Sequence, residues 1–447
     1  MNRGMSDPGD ESMPPDIPVH SISLGCPKNR IDTEHALASI AGAAGGGMRI
    51  VENQESARVI LINTCGFIQA SVEESIEAIL DAAAGKRDGQ LLVVTGCLVE
   101  RYGSELAKEL PEADILVGVA GYGDIGRRIL RAIEPEAQIA GTEGHGRIIT
   151  TPPWRTYVKI SEGCSNRCAY CLIPSIRGRQ VCRPPGEIVA EINMLVETGV
   201  REVTLVAQDL TAYAFQGARL PDLLAAIVAE TDLPWLRMLY LYPSRIDMEL
   251  VETVAEHGRI CPYFDMPLQH ASDKVLEAMN RGYSRGAISE VVHMIRSNIP
   301  DAFLRTTVIT GFPGEGAGDF EKLMDFVREH RFDHLGCFPY SDEEGTTAFG
   351  LPDKVDKRLA EERHDRIMEA QQVISAEKLE AIRGGRFDVL VEGVSRETDL
   401  LLEGRTMFQA PGIDGVTYIS DGEARPGDIV EVEIDETHIY DIAGRMV

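Results

Sequence analysis

The hydrophobic positions of the chain follow three successive patterns, and the first predicts an α/β domain. Over residues 17–135, short β-branched runs alternate with amphipathic stretches, as in VHSISLG followed by NRIDTEHALASIAG. Strands alternating with helices are typical of a parallel sheet covered by helices. The segment 136–150 is punctuated by Gly and is interpreted as a linker.

The second pattern covers residues 151–376 and predicts a partial (β/α)6 barrel. Helix-like stretches such as GEIVAEINMLVETG separate its strand candidates, which are TYVKIS, EVTLVAQ, LRMLYLY, YFDMPL, LRTTVIT and HLGCFPY. Repeated β/α units within one domain favour an open or partial barrel of parallel strands.

The third pattern, residues 377–447, loses its helical signals after about residue 383 and predicts a small antiparallel, OB-like β-barrel. Val430, Val432 and Ile434 alternate with glutamates. This period of two is typical of a strand with one buried face.

Charge and composition narrow the class of protein. The 447 residues contain 44 Lys and Arg against 71 Asp and Glu, a net charge of −27, which repels phosphate backbones and favours a basic partner. Residues 1–16 have little to bury and are predicted to be a disordered tail. Neither a signal peptide nor a run of about 18 apolar residues is found, so a cytoplasmic location without membrane contact is expected.

The chain has nine cysteines, and in a reducing compartment clustered cysteines favour metal or redox chemistry over disulfides. Three of them lie in the segment SEGCSNRCAYCLIP. Cys164, Cys168 and Cys171 have C-x3-C-x2-C spacing. A structural zinc ion usually takes four ligands, whereas three thiolates leave one iron of a cubane cluster open to a small molecule. The alternative is a zinc site completed by a distant Cys or His.

Three further cysteines, Cys26, Cys65 and Cys97, each follow a different predicted strand. The carboxyl ends of parallel strands share one edge of a sheet, so these thiols are expected to meet and to hold a second cluster. Their adjacent glycines allow close backbone approach. The alternative is three ordinary core cysteines. The remaining thiols, Cys182, Cys261 and Cys337, are interpreted as ordinary.

These motifs resemble known families. The compact triad, with aromatic Tyr170 before its third cysteine, resembles the radical S-adenosylmethionine (SAM) superfamily. GCPKNRIDTE, NTCGFIQASVEESIEAIL and VTGCL resemble the amino-terminal domain of the methylthiotransferases, and the last 70 or so residues resemble their TRAM domain. The resemblance implies two 4Fe-4S clusters, a radical cluster that binds SAM on Cys164, Cys168 and Cys171 and an auxiliary cluster on Cys26, Cys65 and Cys97.

Two subfamilies modify different substrates, an adenosine of transfer RNA or an aspartate of a small-subunit ribosomal protein. GCPKNRIDTE, FDMPLQHASDKVLEAMNRGY, PYSDEEGT and GRTMFQAPGIDGVTYI resemble the ribosomal-protein (RimO-type) subfamily, although Leu210 and Gly316 depart from the family pattern. From Leu379 to Val447 the chain has 6 Arg and no Lys against 15 Asp and Glu. RNA binding requires a basic surface, so direct RNA binding is not expected. The acidity suits a basic ribosomal protein, unless it is simply a solvated surface.

The resemblance implies conversion of an aspartate of small-subunit protein twelve to 3-methylthioaspartate, with SAM used once as methyl donor and once as radical source. The implied partners are that protein or the 30S particle, and a low-potential electron donor, flavodoxin or ferredoxin. The alternatives are a transfer-RNA adenosine methylthiotransferase and a non-catalytic iron-sulfur scaffold that binds the ribosome.

Cofactor-binding residues are expected at the carboxyl ends of barrel strands. This rule nominates a set of polar residues and the loop GFPGE; the residues are Gln208, Asp209, Tyr242, Gln269 and His270. Tyr170 and Gln208 are predicted to bind SAM, and Arg305 to pair with its carboxylate. No residue is assigned as catalytic. For each of these the alternative is a structural or solvated role.

Overall fold

The computed structural model describes residues 16–136 and 146–447. The chain divides into two compact units, Met1–Thr150 and Thr151–Val447. Residues 1–15 of the predicted tail and residues 137–145 of the predicted linker lie outside the described residues. The bounds of the five segments inferred from the sequence stay predictions.

The first unit contains a parallel sheet with helices on both faces, which confirms the predicted α/β class. Its strands are β1 (Ile17–Ser23), β2 (Met48–Ile50), β3 (Val59–Thr64), β4 (Leu91–Gly96) and β5 (Ile115–Val117). They are arranged in the order β2-β1-β3-β4-β5, with every pair parallel. The helices are α1 (Pro27–Ala43), α2 (Gln69–Ala84), α3 (Cys97–Glu109) and α4 (Ile125–Ile133). The short edge strand β2 and helix α4 were not predicted from the sequence.

Alternation along β3 divides the apolar core of this unit into two layers. Val59 and Leu61 pack with α1 and α4 on one face of the sheet, and Ile60 and Ile62 pack with α2 and α3 on the other. A central parallel strand is apolar on both faces for this reason. The two layers hold β1, β3 and β4 side by side.

The second unit begins with a partial barrel of parallel strands, as predicted. Its six barrel strands, all within residues 151–447, are β6 (Arg155–Lys159), β9 (Glu202–Val206), β12 (Trp235–Met238), β13 (Tyr263–Gln269), β14 (Phe303–Thr310) and β15 (His334–Pro339). They form two parallel sheets, β12-β9-β6 and β13-β14-β15. A parallel bridge between Leu236 and Ile260 joins the two sheets.

Helices and short hairpins connect the barrel strands. The helices are α5 (Ile173–Arg177), α6 (Pro185–Glu197), α7 (Leu220–Glu230), α8 (Met248–Glu256), α9 (Asp273–Ala278), α10 (Arg285–Asn298), α11 (Ala317–His330) and α12 (Lys357–Ala381). The hairpin strands are β7 (Ser161–Glu162), β8 (Val181–Cys182), β10 (Ala214–Phe215) and β11 (Ala218–Arg219). Among the described residues, no helix is long and apolar enough to cross a membrane.

The chain ends in a closed five-stranded barrel, which confirms the predicted class. Its strands are β16 (Arg386–Val394), β17 (Leu402–Thr406), β18 (Thr417–Ile419), β19 (Ile429–Thr437) and β20 (Ile442–Met446). The pairs are antiparallel except β18–β20, which is parallel. Strand β20, which closes the barrel, was not predicted from the sequence.

Candidate functional site

Cys26, Cys65 and Cys97 lie at the carboxyl edge of three neighbouring strands. Cys65 directly follows β3, Cys97 directly follows β4, and Cys26 follows β1 after a short turn. Cys26 is also the N-cap of α1, and Cys97 is the first residue of α3. Helix amino termini favour negative charge, so this edge suits thiolate ligands. Their role as ligands stays a prediction.

Glycine is required where the first two of these cysteine-bearing turns meet. Gly25 has a φ of +82°, and a Cβ atom there would lie 2.8 Å from Cβ and 3.1 Å from Sγ of Cys65. A Cβ on Gly66 would lie 2.7 Å from Cα of Leu98, just after Cys97. The three turns therefore pack closely against one another, and a shared cluster site for the three cysteines stays a prediction.

Asn29, which sequence reasoning missed, connects all three turns. Its Nδ2 donates to the carbonyl oxygens of Leu24, at 3.0 Å, and Thr64, at 2.9 Å. Its Oδ1 lies 3.6 Å from Sγ of Cys97. Asn29 is completely buried in α1. The signal in the sequence was a polar residue directly after GCPK, at a position that the helix buries.

The second triad lies on a loop that backbone contacts hold in place. Cys164 donates its N–H to the carbonyl oxygen of Gly178 at 3.0 Å, and Ala169 donates to that of Met279 at 2.9 Å. A Cβ on Gly163 would lie 2.4 Å from the carbonyl oxygen of Arg179. The loop is thus fixed at both ends, with Cys164 buried and the other two thiols partly exposed.

Two of these sulfur atoms accept hydrogen bonds. The N–H of Ile173 donates to Sγ of Cys171 at 3.4 Å, and Nη1 of Arg281 donates to Sγ of Cys168 at 3.3 Å. Burial raises the pKa of the Cys171 thiol to about 12 and also raises that of Cys164. Without a metal these thiols stay protonated, and a bound metal replaces the proton.

Each cysteine triad supplies three sulfur donors. Within residues 16–136 and 146–447, no group of three or more His, Cys, Asp or Glu side chains is arranged to hold a single metal ion. A structural zinc ion usually takes four ligands, one more than either triad supplies. An open-corner cubane takes three thiolates, so the number of donors in each triad suits such a cluster, and this assignment stays a prediction.

Gln208 lies just beyond the carboxyl end of β9, as predicted for a SAM-binding residue. Its Nε2 donates to Oε1 of Glu162 at 3.1 Å, and its Oε1 is buried without a hydrogen-bond partner in the described structure. Although burial opposes ionisation, Lys159 and Arg177 lower the pKa of Glu162 to about 2. The unpaired acceptor of Gln208 suits a cationic donor such as the ammonium group of SAM.

The other two predicted SAM-binding residues differ in their surroundings. The hydroxyl of Tyr170 accepts a hydrogen bond from Nη1 of Arg281 at 3.1 Å, close to Cys168. Arg305, near the amino end of β14, pairs with Asp265 at 2.8 Å and lies 3.6 Å from Asp414. Since two carboxylates already face this guanidinium, its pairing with SAM stays a prediction without structural support.

The nominated Asp209 anchors the cysteine loop to the barrel. Its Oδ2 accepts from Nδ2 of Asn166 at 2.7 Å and also pairs with Arg245. Asn166 lies between the first two cysteines of the loop, so this contact connects the loop to the end of β9. Asn166, Arg245 and Arg281 were not identified from the sequence, because their partners are distant in the chain.

The remaining nominated positions have structural contacts. Tyr242 donates from its hydroxyl to the carbonyl oxygen of Arg281. Gln269 has a φ of +73° at the end of β13. His270 is completely buried, and its Nδ1 accepts from the N–H of Ser272 at 2.9 Å. Within the loop GFPGE, Glu315 accepts from the N–H of Phe312 at 3.2 Å, which shapes the loop.

Comparison with known proteins agrees with this fold and these motifs. Residues 158–327 match the Radical SAM superfamily, residues 18–118 match Uncharacterized protein family UPF0004, and residues 384–447 match the TRAM domain. The TRAM match covers the five-stranded barrel, and the UPF0004 match covers the three strand-end cysteines. The chain thus has the domain composition of a radical SAM enzyme that carries a TRAM domain.

Curated relatives identify the particular family. The chain is 46% identical to ribosomal protein uS12 methylthiotransferase RimO of Anaeromyxobacter sp. (strain K), over 96% of this chain and 93% of that protein. It is 44% identical to the RimO of Myxococcus xanthus (strain DK1622), over 96% and 91% of the two chains. The chain belongs to the RimO family of ribosomal protein uS12 methylthiotransferases.

Solved structures show the same fold at low identity. The radical SAM methyltransferase TsrM from Kitasatospora setae, with tryptophan and a SAM analogue bound, superposes with a TM-score of 0.52 and 13% identity. That match covers 72% of each chain. Superfamily membership implies a 4Fe-4S cluster and SAM for this chain.

Proposed function

We propose that this protein converts an aspartate side chain of ribosomal protein uS12 to 3-methylthioaspartate, using two 4Fe-4S clusters and two molecules of SAM. The observation that carries the proposal is the presence of two separate three-cysteine sets in a chain of the RimO family. Neither transfer-RNA methylthiolation nor a non-catalytic scaffold is favoured by the relatives found. A uS12 substrate also implies action in the cytoplasm.

In this proposal Cys164, Cys168 and Cys171 hold the radical cluster, and Cys26, Cys65 and Cys97 hold the auxiliary cluster. When bound, the radical cluster with SAM supplies a 5'-deoxyadenosyl radical that can remove hydrogen from an unactivated carbon. The protein fixes the cofactors and excludes water. The glycines and Asn29 support the auxiliary set by holding its turns together.

Gln208 and Tyr170 are the SAM-contacting residues of the proposal. The buried, unpaired Oε1 of Gln208 supports a contact with the ammonium group, because an unpaired buried acceptor is costly unless a ligand satisfies it. Glu162, ionised and surrounded by Lys159 and Arg177, holds the amide of Gln208 in that orientation. Asp209 keeps the cysteine loop at the end of β9 through Asn166.

The terminal barrel is proposed to bind uS12 rather than RNA. Asp421, Glu423 and Glu431 are exposed, and this part of the chain has no Lys. An acidic surface attracts a basic ribosomal protein and repels phosphate.

The electron donor is proposed to be an acidic low-potential protein of the flavodoxin or ferredoxin type. Residues 151–183, which contain the radical triad, have six Lys and Arg against one Glu, in a chain of net charge −27. Arg167 and Arg179 are exposed and form no ion pair within the described residues. An exposed basic rim beside the triad supports docking of an acidic donor, since complementary charge steers encounter.

The test is methylthiolation of purified uS12 or 30S particles by the anaerobically reconstituted protein with SAM and reductant. Mass spectrometry should find one methylthio group on a single aspartate of uS12. Label from the methyl group of SAM in RNA, with none in uS12, would instead establish the transfer-RNA reaction. Absence of 5'-deoxyadenosine would instead favour the non-catalytic iron-sulfur scaffold.

A further inference from the structure

Arg281 is an exception among the buried arginines of the described chain. Five arginines are less than 9% exposed, and four of them pair with a glutamate at 3.1 Å or less: Arg177 with Glu162, Arg237 and Arg405 with Glu202, and Arg363 with Glu315. Arg281 is 5% exposed, and no carboxylate of the described residues lies within ion-pair distance of it.

The hydrogen-bond partners of Arg281 are all formally neutral. Nε donates to the hydroxyl of Tyr283 at 2.6 Å, Nη2 to the carbonyl oxygen of Pro267 at 2.8 Å, and Nη1 to the hydroxyl of Tyr170 at 3.1 Å. Nη1 also lies 3.3 Å from Sγ of Cys168. The guanidinium carbon lies 4.3 Å from the ring centroid of Tyr242 and 5.1 Å from that of Tyr283. These contacts orient the cation toward the cysteine loop.

A buried cation without an anionic partner is costly, and hydrogen bonds or aromatic rings compensate only part of that cost. Arginine keeps its proton in proteins, so loss of charge cannot relieve the cost. The missing negative charge is best supplied at Cys168, whose sulfur becomes a thiolate when it ligates iron.

We propose that Arg281 is the resident counter-charge of the radical cluster and raises its reduction potential by donating a hydrogen bond to the sulfur of Cys168. The proposal rests on the proposed function only in placing a cluster on Cys164, Cys168 and Cys171. Net charge and hydrogen bonds to sulfur set the potential of iron-sulfur clusters. A nearby cation stabilises the reduced, more negative state, so reduction becomes easier. Arg281 is thus a positioning and tuning residue.

The test measures the midpoint potential of the radical cluster directly. The full-length protein carries Cys26→Ala, Cys65→Ala and Cys97→Ala, so that only the radical cluster contributes to the signal. This protein is titrated anaerobically, and the reduced cluster is followed by electron paramagnetic resonance. Arg281→Gln should shift the redox equilibrium toward the oxidised cluster about tenfold or more. For one electron, a tenfold shift lowers the midpoint potential by about 59 mV. Arg281→Lys keeps the charge but loses the planar fork and should shift less.

Arg285→Gln is the matched control. Arg285 lies four residues further on, pairs with Glu329 at 2.8 Å and has no contact with the cysteine loop, so its variant should titrate like the parent. Tyr283→Phe removes one acceptor of Arg281 and should give a smaller shift in the same direction.

An Arg281→Gln protein with about four irons and an unchanged midpoint would overturn the proposal. If that variant does not retain iron, unchanged midpoints in both Arg281→Lys and Tyr283→Phe would overturn it equally. A purely structural role would lower cluster content without shifting the midpoint of the clusters that remain. The readout is independent of the substrate, so failure of the reconstituted protein with all six cysteines to modify uS12 would refute the proposed function and leave this result standing.

Discussion

Glu202 of barrel strand β9 and Arg405 of the terminal barrel form a buried ion pair, with 2.6 Å between Oε2 and Nη2. Arg237 binds the other oxygen of Glu202, also at 2.6 Å, and donates to the carbonyl oxygen of Met407 at 2.7 Å. These contacts attach the terminal barrel to the radical SAM domain through charged groups that are inaccessible to solvent.

The first prediction concerns stability in acid. Although burial opposes ionisation, Arg405 and Arg237 lower the pKa of Glu202 from 4.5 to about 2. A lowered pKa in the folded state contributes stability above the unfolded value, and that contribution disappears as pH falls from about 4.5 to about 2. Glu202→Gln should lower the free energy of unfolding at pH 7 by about 3–5 kcal/mol, because buried Arg237 loses its counter-charge and buried Arg405 keeps only Glu392.

Denaturant unfolding of the parent and Glu202→Gln over this pH range measures the difference. The two curves should converge in acid. An exposed control, Glu290→Gln, should follow the parent. A difference in free energy of unfolding between the parent and Glu202→Gln that stays constant from pH 7 to pH 2 would contradict the lowered pKa of Glu202.

The second prediction concerns the number of clusters. Replacing Cys26, Cys65 and Cys97 by Ala should lower iron from about eight to about four per chain, since each cubane contains four irons. Formation of 5'-deoxyadenosine should persist, whereas methylthiolation should stop. Iron analysis and product chromatography measure the two effects. Cys182→Ala, outside both triads, should retain all of the iron; equal iron in the triple variant and the parent would refute the auxiliary site.

Asn29 provides the third prediction. Asn29→Leu leaves the carbonyl oxygens of Leu24 and Thr64 without their side-chain donor, at a cost of about 1–3 kcal/mol for each unpaired group. We expect the auxiliary triad to lose most of its iron while the radical cluster stays. Asn298→Leu, at an exposed helix end, is the control. Full iron content in Asn29→Leu would show that the turns hold their geometry without this contact.

The fourth prediction tests the basic rim beside the radical triad. Arg167→Glu with Arg179→Glu should slow reduction by flavodoxin about tenfold or more at low salt, and high salt should reduce the difference, because salt screens exposed charges. Reduction by dithionite should be unchanged. Stopped-flow absorbance measures both rates. Arg328→Glu, at an exposed position of helix α11, should behave like the parent; an equal loss there would indicate an effect of net charge alone.

The fifth prediction concerns the acidic terminal barrel. Asp421→Lys with Glu423→Lys should weaken uS12 binding by several fold at low salt, because two exposed carboxylates become cations. Titration calorimetry or fluorescence anisotropy with labelled uS12 measures the affinity. Glu290→Lys with Asp325→Lys, in the radical SAM domain, changes the net charge equally. The same loss in both proteins would exclude a specific role for the barrel.

The sequence alone determined the elements whose signals are local. The strand before Cys65 and the strand before Cys97 were visible as β-branched runs. The spacing of Cys164, Cys168 and Cys171 indicated an open-corner cluster, and the resemblance of this motif to the radical SAM superfamily implied the radical chemistry. Periodicity and spacing depend on near neighbours in the chain, which explains this success. The elements β2, α4 and β20 are short, so each contains too few residues to give a clear local pattern, and they were missed.

Only the tertiary structure decided which side chains meet. Arg281 is 113 residues from Cys168, and Arg405 is 203 residues from Glu202, so neither contact has a local signal. Arg305 pairs with Asp265, 40 residues away, which also has no local signal, and its contact with SAM stays a prediction. Buried charges select partners by proximity in the packed state, and that proximity depends on how strands and helices from the whole domain come together.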